Sequence, residues 1–457
     1  MRTIRVGNGC GFWGDSLDAP LRLVQHGQLD YLTLEYLAEL TLSILAHQRS
    51  RDPAAGYATD FIDVLRELLP LLRDQPQLRI ITNAGGMNPM ACARAAESVL
   101  REAGLTGVRI GVVSGDDLFE RLPELIHRAH TFAHLDTGDL LEPILDHVVS
   151  ANAYLGAKPI VDALAQGARI VITGRVADAS LTVAPAIHEF GWRPDDWPRV
   201  AGATVAGHLI ECGAQVTGGL YCDWPSVPDY ANIGYPIAVL AEDGSFEITK
   251  PAGTGGLVNR ETVIEQLLYE IGDPIDYKTP DVRANFTSLR VEETSTGVRV
   301  TEASGRPPTD SYKVSIAYRD GFMASGTLAV YESISPPDMG TKARRCGELV
   351  LQRLAAAMRE PARSHIDVLG DRSSTRRTPV AVRVAVHDSD RGLVERFCRE
   401  LAPLVTSGPP GITGYTGARP RPHEVLAYWP ALVARAVIEP RVEIVPPDEH
   451  RSLANNG

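Results

Sequence analysis

An arginine and an aspartate three residues apart directly follow an apolar segment, and both side chains are of types that take part in catalysis. Residues 168–173 (ARIVIT) predict a buried strand, and Arg175 and Asp178 lie in the loop after it. A guanidinium binds a carboxylate or phosphate through two parallel hydrogen bonds, and a carboxylate can act as a general base. We therefore expect both residues to be catalytic, with Arg175 holding an anionic group and Asp178 moving a proton. The structural alternative is that Asp178 only holds Arg175.

A histidine in the middle of the chain has two reactive neighbours at helical spacing. His208 lies in a predicted helix over 203–215, where Glu211 and Cys212 follow it by three and four residues and share its face. We expect His208 to be a catalytic residue that moves a proton next to a carbonyl group. The spacing leaves open a metal pair, a Cys–His nucleophile couple and a histidine packed in the core.

Four further loops combine small residues with polar side chains. Small residues let a ligand approach the backbone, whose N–H groups bind anions at a helix start or in a turn. Within these loops we expect Asn83 and Gly85 to contact a developing oxyanion. The residues expected to bind substrate are Asn8, Cys10 and Asp15 in loop 7–15, Asn83, Gly85 and Asn88 in loop 83–89, Asp116 in loop 114–117, and Lys250 and Thr254 in loop 250–256.

The first of these loops also has the glycine spacing of a dinucleotide-binding turn. Gly9, Gly11 and Gly14 form the pattern GxGxxG after a predicted strand, and Glu35 ends the next strand. The following helix begins only after the third glycine, and two bulky aromatic residues stand inside the pattern. A nicotinamide-dependent oxidoreductase is therefore the less favoured interpretation, beside a tight turn and a backbone nest for an anion.

The alternation of strands and helices explains why these loops should meet. Strand, Gly-rich loop and helix recur at least four times before residue 180 and predict an α/β fold with a mostly parallel sheet. In such sheets the loops after the strands line the ligand crevice. Residues 284–331 alternate as antiparallel strands do. We predict an α/β domain over 1–360, a linker over 361–377 and a small α+β domain over 378–457.

Composition narrows the classes of function. The chain of 457 residues has a net charge of −12, which disfavours nucleic-acid and membrane-surface partners. Its six cysteines form no CxxC pair, so we expect neither a disulfide framework nor a metal site, and a cytoplasmic location. No apolar run has the length of a membrane span, and no leader is visible. A small-molecule substrate is expected, no cofactor is identified, and homo-oligomer formation stays open.

Ten stretches of the chain resemble one known family. They are GNGCGFWGD (7–15), LDYLTLEYLAE (29–39), TNAGGMNP (82–89), VVSGDDL (112–118), NAYLGA (152–157), VITGRVADASL (171–181), HEFGW (188–192), GHLIECGAQVTGG (207–219), KPAGTGG (250–256) and EQLLYEIGDP (265–274). In this order they resemble the acyclic terpene utilisation protein AtuA family over roughly residues 4–330.

The resemblance implies an α/β N-terminal domain followed by a small ferredoxin-like domain, for which residues 380–445 are the candidate. It also implies an enzyme of acyl-CoA or branched-acid metabolism, because founding members serve the degradation of citronellol and geraniol through acyl-CoA intermediates. We expect a lyase or hydratase acting on a branched, carboxylate-bearing acyl group, either free or as a CoA thioester. The alternatives are an acyl or CoA transferase or a hydrolase with Cys10 or Cys212 as nucleophile, and a noncatalytic partner subunit.

Overall fold

The computed structural model describes most of the chain, and the described residues form nineteen strands and twelve α-helices. These residues are 1–193, 195–331, 339–370 and 379–445. The strands are β1 (Thr3–Asn8), β2 (Tyr31–Leu34), β3 (Arg79–Thr82), β4 (Ile110–Ser114), β5 (Val148–Ala153), β6 (Ile170–Thr173), β7 (Ile237–Ala241), β8 (Phe246–Thr249), β9 (Tyr277–Lys278), β10 (Arg283–Asn285), β11 (Arg290–Glu293), β12 (Val298–Thr301), β13 (Ser304–Arg306), β14 (Ser311–Val330), β15 (Arg363–Leu369), β16 (Val380–Asp388), β17 (Ile412–Tyr415), β18 (His423–Ala434) and β19 (Arg441–Val445). The helices are α1 (Ala19–Gly27), α2 (Glu39–Arg51), α3 (Asp60–Asp74), α4 (Pro89–Glu102), α5 (Leu122–His127), α6 (Lys158–Ala165), α7 (Ser180–Phe190), α8 (Trp197–Ile210), α9 (Arg260–Leu268), α10 (Met339–Ala357), α11 (Arg391–Glu400) and α12 (Leu404–Ser407).

The chain divides into two compact units, and their boundaries differ from the predicted domains. The first unit comprises Met1–Ala317 and the stretch that begins at Tyr428, and the second comprises Tyr318–Ala427. Strand β15 occupies much of the predicted linker, while residues 371–377 of that linker lie outside the described residues. The polar composition that suggested a linker belongs in β15 to an edge strand, in which only Val368 is buried.

The first unit contains a mixed ten-stranded sheet with a parallel centre. Its strand order is β11-β12-β8-β7-β1-β2-β3-β6-β4-β19. The five strands from β1 to β4 in this order pair parallel, whereas β7 and β19 join them antiparallel on the two sides. The predicted α/β fold is therefore confirmed, with its parallel strands in the centre of the sheet and antiparallel strands on the flanks.

The central strands are apolar throughout because both of their faces are covered. Ile80 and Ile172 belong to the core that also contains residues of α1, α3 and α4, while their chain neighbours Ile81 and Val171 are equally buried. Since neighbouring side chains of a strand point to opposite faces, a second layer must cover the other side. Helix α7 packs against β1, β2, α6 and α8, and eight of its eleven residues are buried, as this position requires.

The loops after the parallel strands converge at the carboxyl edge of the sheet. The backbone N–H of Glu35 donates to the carbonyl oxygen of Cys10 at 3.0 Å, which joins the loops after β1 and β2. Gly85 lies so close to the end of β6 that a Cβ atom there would be 2.5 Å from the carbonyl oxygen of Thr173. The expected meeting of loops 7–15, 83–89, 114–117 and 173–178 is confirmed, because Asp116 also binds the backbone of residue 175.

The second unit is built on an antiparallel sheet with the order β15-β16-β14-β17. Helices α10 and α11 pack on this sheet through a separate apolar core. The predicted antiparallel character of residues 284–331 is confirmed by the pairings of β10 to β14. A ferredoxin-like arrangement of the C-terminal part stays a prediction. In the part of the chain that the structure describes, no helix combines the length and the apolar character that a membrane span needs.

Replacing Gly85 with alanine should destabilise the first unit. The added methyl group would overlap the Thr173 carbonyl oxygen and would lie 2.8 Å from Cα of Pro89, and backbone atoms cannot move aside as a flexible side chain can. Overpacking of this kind costs about 1–3 kcal/mol, so the thermal midpoint should fall by a few degrees. Gly107→Ala is the control, because no atom lies within 4 Å of the place that its added methyl group would take. Equal midpoints for the two variants would contradict the close approach of the loop to β6.

Candidate active site

A cavity of about 760 Å³ opens in the first unit beside the ends of β1, β2 and β6. Ligands bind at this edge of the sheet in open α/β folds, and small-molecule sites span ~300–1,000 Å³. We call it the strand-end cavity. Its wall consists of Gly11, Glu35, Leu37, Ala38, Glu39, Leu135, Tyr154, Arg175, Ala177, Asp178, Ala179, Glu211, Cys212, Tyr269, Glu270, Tyr277, Lys278, Thr279, Pro280, Thr309, Ser311, Tyr312, Lys313 and Leu432.

The side chain of Arg175 is buried in this wall, with 3% of its surface exposed. Its Nη1 donates to the carbonyl oxygen of Leu37 at 2.7 Å, and its Nη2 lies 2.9 Å from Oδ1 of Asp178. The ring of Tyr154 lies 4.1 Å from the guanidinium carbon, and Oε1 of Glu35 lies 4.0 Å from Nη1. The Nε atom is buried without a hydrogen-bond partner among the described residues. The Nε–H group is thus a donor of Arg175 that no described residue uses.

Glu35 follows β2 and is a buried carboxyl group beside Arg175. Its Oε1 accepts hydrogen bonds from the backbone N–H of Leu37 at 2.9 Å and from the side-chain amide of Asn83. Burial raises the pKa of Glu35 well above its usual value, and the nearby Asp178 charge raises it further, against the opposing effects of Arg175 and Asn83. Burial thus favours the protonated form of this carboxyl group. Asn83, which we expected to contact an oxyanion, positions this group instead.

Asp178 is the predicted base, and its side chain is 33% exposed at the cavity wall. Burial raises the pKa of Asp178 to about 7, while the Arg175 charge lowers it and the charges of Glu211 and Glu39 raise it. A carboxyl group with this pKa exchanges its proton near neutral pH, as a general acid or base must. The structure thus brings Arg175 and Asp178 together, as the loop sequence predicted.

Three residues that sequence reasoning missed complete one side of the cavity. The Tyr154 hydroxyl donates to Oε1 of Glu39 at 2.6 Å, and the Lys313 ammonium lies 3.6 Å from the same oxygen and 4.9 Å from the Tyr154 ring centre. Glu39 and Tyr154 stand in two of the stretches that carry the family resemblance, and this was the signal that could have found them. Lys313 had no such signal, because it lies in an ordinary alternating strand.

His208 is placed behind the cavity wall rather than in it. Its side chain is 1% exposed, its Nε2 lies 2.9 Å from the carbonyl oxygen of Gln266, and its Nδ1 lies 3.3 Å from Oε1 of Glu211. The rings of Tyr277 and Phe286 pack against it at 5.7 and 5.5 Å between centres. His208 thus does not line the cavity, whereas its neighbour Glu211 does, and the catalytic role expected of His208 stays a prediction. Within the described ranges, no three His, Cys, Asp or Glu side chains are placed to hold a metal ion.

Two more of the predicted substrate-binding residues support the wall from behind. Oδ2 of Asp116 accepts the backbone N–H of Arg175 at 2.8 Å, and burial raises the pKa of this carboxyl group to about 6. The side-chain amide of Asn8 donates to the carbonyl oxygen of Glu211 at 2.9 Å. Both side chains are buried. Each fixes the backbone of a residue that does line the cavity.

Loop 7–15 is packed against its own chain. A Cβ atom on Gly11 would lie 2.8 Å from the carbonyl carbon of Cys212, so this glycine serves a close contact between two loops. Asp15 accepts hydrogen bonds from the Gly11 backbone N–H at 2.8 Å and from the Tyr235 hydroxyl at 2.5 Å. The close contact accounts for the glycine at position 11, and Asp15 acts as a brace for the loop.

The remaining predicted binding residues have local partners and do not line the strand-end cavity in the described part of the chain. Asn88 caps α4 by accepting the backbone N–H of Ala91 at 3.3 Å. Lys250 donates to the carbonyl oxygen of Thr254 at 2.7 Å, and the Thr254 hydroxyl donates to that of Pro251 at 2.6 Å. A substrate-binding role for these residues, as for Gly85, stays a prediction.

The two cysteines considered as nucleophiles are poorly placed for that role. Cys10 is buried, does not belong to the cavity wall, and donates to the carbonyl oxygen of Phe12 at 3.1 Å. Cys212 lines the cavity. Burial is the main cause that raises the pKa of both thiols, and neighbouring carboxylates raise it further. Since the thiolate is the reactive form, both positions disfavour nucleophilic catalysis.

Comparison with known proteins identifies the family of this chain. None of the curated proteins matches the chain. The family model described as "Acyclic terpene utilisation family protein AtuA" matches residues 4–444 and so covers nearly the whole chain. The match includes every cavity residue, and it extends well beyond the stretches that carried the resemblance. The chain therefore belongs to the AtuA family of acyclic terpene utilisation proteins.

Proposed function

We propose that this protein is a lyase- or hydratase-type enzyme that removes water from, or adds water to, a branched, carboxylate-bearing acyl group. One observation carries the proposal. Asp178 faces the strand-end cavity as a carboxyl group that titrates near neutral pH, directly beside the buried Arg175 guanidinium. This is the arrangement that proton abstraction next to a carbonyl group needs, because a base and a cationic donor reach the same bound group.

In the elimination direction, the Asp178 carboxylate takes a proton from the carbon next to the acyl carbonyl. The electron pair of that C–H bond passes into an enolate, whose oxygen is stabilised by a preorganised donor. The buried Nε–H of Arg175 is such a donor, since it has no partner in the described chain. The pair then forms a carbon–carbon double bond as the C–O bond to the hydroxyl group breaks. Addition of water follows the same path in reverse.

The rest of the cavity wall suits the other parts of such a substrate. Leu37, Leu135 and Leu432 supply apolar surface for a branched carbon chain. The Leu37 carbonyl and the Asp178 carboxylate already bind Nη1 and Nη2 of Arg175, so Arg175 is a poor holder of the substrate carboxylate. Lys313, with 43% of its side chain exposed, is better placed for that role.

The family supports a substrate of this shape, because acyclic terpenes have branched carbon skeletons. The free acid and its CoA thioester carry the same reacting atoms, so both should be tested as substrates. No contact in the described chain favours a transferase or hydrolase with a cysteine nucleophile. If the protein were a noncatalytic partner subunit, it would convert none of these substrates.

Replacing Asp178 with asparagine should abolish most of the turnover while the fold survives. The amide cannot take the proton, and loss of a general base typically costs about 10²–10⁴-fold in kcat. The assay uses branched 3-hydroxyacyl and 2-enoyl compounds, free and as CoA thioesters, and follows the ultraviolet absorbance of the conjugated product.

Asp162→Asn is the matched control for that experiment. Asp162 is half-exposed and pairs with Lys158 on the same helix, and it lies outside the cavity wall. It should keep the wild-type rate. Asp178→Asn protein that is folded by circular dichroism and turns over at the wild-type rate would remove Asp178 from the mechanism.

The pH dependence of kcat/KM should report the ionisation of Asp178. The base works only when deprotonated, so activity should rise with pH through about 7. At pH 5 only about 1% of the carboxyl groups would be ionised, a ~100-fold loss. Arg175→Gln removes the charge that lowers this pKa and should move the midpoint to higher pH, whereas Arg175→Lys keeps the charge and should move it less. A midpoint that stays fixed in Arg175→Gln would contradict the coupling.

A further inference from the structure

The strand-end cavity contains a second carboxyl group, that of Glu211, which contacts a buried histidine. Glu211 lines the cavity and is 11% exposed, and its Oε1 lies 3.3 Å from Nδ1 of His208. His208 is buried on the far side of that contact. Glu211 follows directly after α8, and the Asn8 side chain binds its carbonyl oxygen. Its position is therefore fixed at both the backbone and the carboxyl group.

The hydrogen bond at Nε2 of His208 determines which ring nitrogen carries the proton in the neutral imidazole. A carbonyl oxygen only accepts, so Nε2 of His208 must carry the proton that reaches the Gln266 carbonyl oxygen at 2.9 Å. In the neutral tautomer, the lone pair of Nδ1 would then face a carboxylate oxygen. That contact is favourable only when a proton lies between them, either on Nδ1 or on Glu211. The pair therefore holds one proton that both groups can carry.

The surroundings favour retention of this proton. Burial lowers the pKa of His208, but the Glu211 carboxylate, the Gln266 carbonyl and the charge of Glu270 raise it by more. His208 also lies in the last turn of α8, where the helix dipole favours a cation. Tyr277, which packs on the ring, stays neutral because burial raises the pKa of its hydroxyl group.

We infer that Glu211 is the catalytic residue that gives a proton to the leaving hydroxyl oxygen, with His208 as the positioning residue that holds and resupplies that proton. The inference rests on the proposed function, in which Asp178 handles the proton at carbon and the proton at oxygen still needs a donor. Asp178 and Glu211 line the same cavity, so one bound substrate can reach both.

Protons and electrons balance in this step. The proton held on Nδ1 of His208 passes to Glu211, and Glu211 gives a proton to the hydroxyl oxygen while the C–O bond breaks. The electron pair of that bond stays on the oxygen, which leaves as water. Glu211 becomes a carboxylate facing the His208 imidazole, and Asp178 keeps the proton taken from carbon. Exchange with solvent through the cavity then returns one proton to the pair and removes one from Asp178.

Substrates with different leaving groups test this assignment. A 3-hydroxy-3-methylacyl thioester needs a proton on its leaving oxygen, whereas the 3-fluoro counterpart expels fluoride without one. Glu211→Gln should lower kcat about 10²–10⁴-fold for the hydroxy compound and less than ~10-fold for the fluoro compound. Asp178→Asn should slow both, and Glu211→Asp should recover part of the lost rate. The control is Glu261→Gln, at a half-exposed glutamate 3.9 Å from Arg260 and outside the cavity.

Equal losses with both substrates in Glu211→Gln would overturn the role of Glu211 and leave the proposed function standing. If the wild-type protein turned over neither compound, the proposed function would fail, and the histidine itself supplies the remaining test. Nitrogen-15 NMR of the full chain, with the His208 signal assigned through His208→Asn, should show both ring nitrogens protonated at pH 7. Glu211→Gln should lower the titration midpoint of that signal. A neutral His208 that titrates alike in both proteins would overturn the shared proton.

Discussion

The guanidinium of Arg175 is the buried charge around which the strand-end cavity is arranged. Moving a charge from water into a protein interior costs several kcal/mol unless protein groups replace its hydration. The replacement comes from the Leu37 carbonyl, the Asp178 carboxylate and the Tyr154 ring, while Asp116 binds the backbone of the same residue. These groups follow β2, β6, β5 and β4 in the chain. Arg175 thus joins these four loops, three through contacts of its guanidinium and the fourth through its backbone N–H, and these contacts shape the cavity wall.

The positive charge of Arg175 also affects the pKa values of the two carboxyl groups beside it. One guanidinium lies near two carboxyl groups, Glu35 and Asp178, and for both of them burial outweighs its attraction. Both groups therefore bind protons more tightly than carboxyl groups in water. The Arg175 charge opposes the effect of burial at both carboxyl groups and keeps the pKa of Asp178 from rising further.

The sequence predicts the centre of the sheet and the Arg175–Asp178 pair because both depend on local patterns. An apolar strand followed at once by polar residues places those residues at the strand end. The pattern does not say which way a side chain points, so Asn8 and Asp116 were expected in the cavity and lie behind it. Contacts between remote segments leave no local trace, as with Lys313 and Tyr154. The β15 strand was missed because an exposed edge strand is as polar as a linker.

Residues of the strand-end loops differ from residues that reach the cavity from other parts of the chain in how many neighbours a substitution would affect. Under the proposed function, the strand-end loops supply both the proton-transfer groups and the buried side chains that hold them, so a change in one of these residues disturbs several others. Leu135 and Leu432 reach the cavity from outside those loops. Lys313 does so too, but it also packs on the ring of Tyr154, a partner of Arg175. Under the proposed function, substitutions at the two leucines would therefore alter the surface offered to the acyl chain with the least effect on Arg175 and its partners.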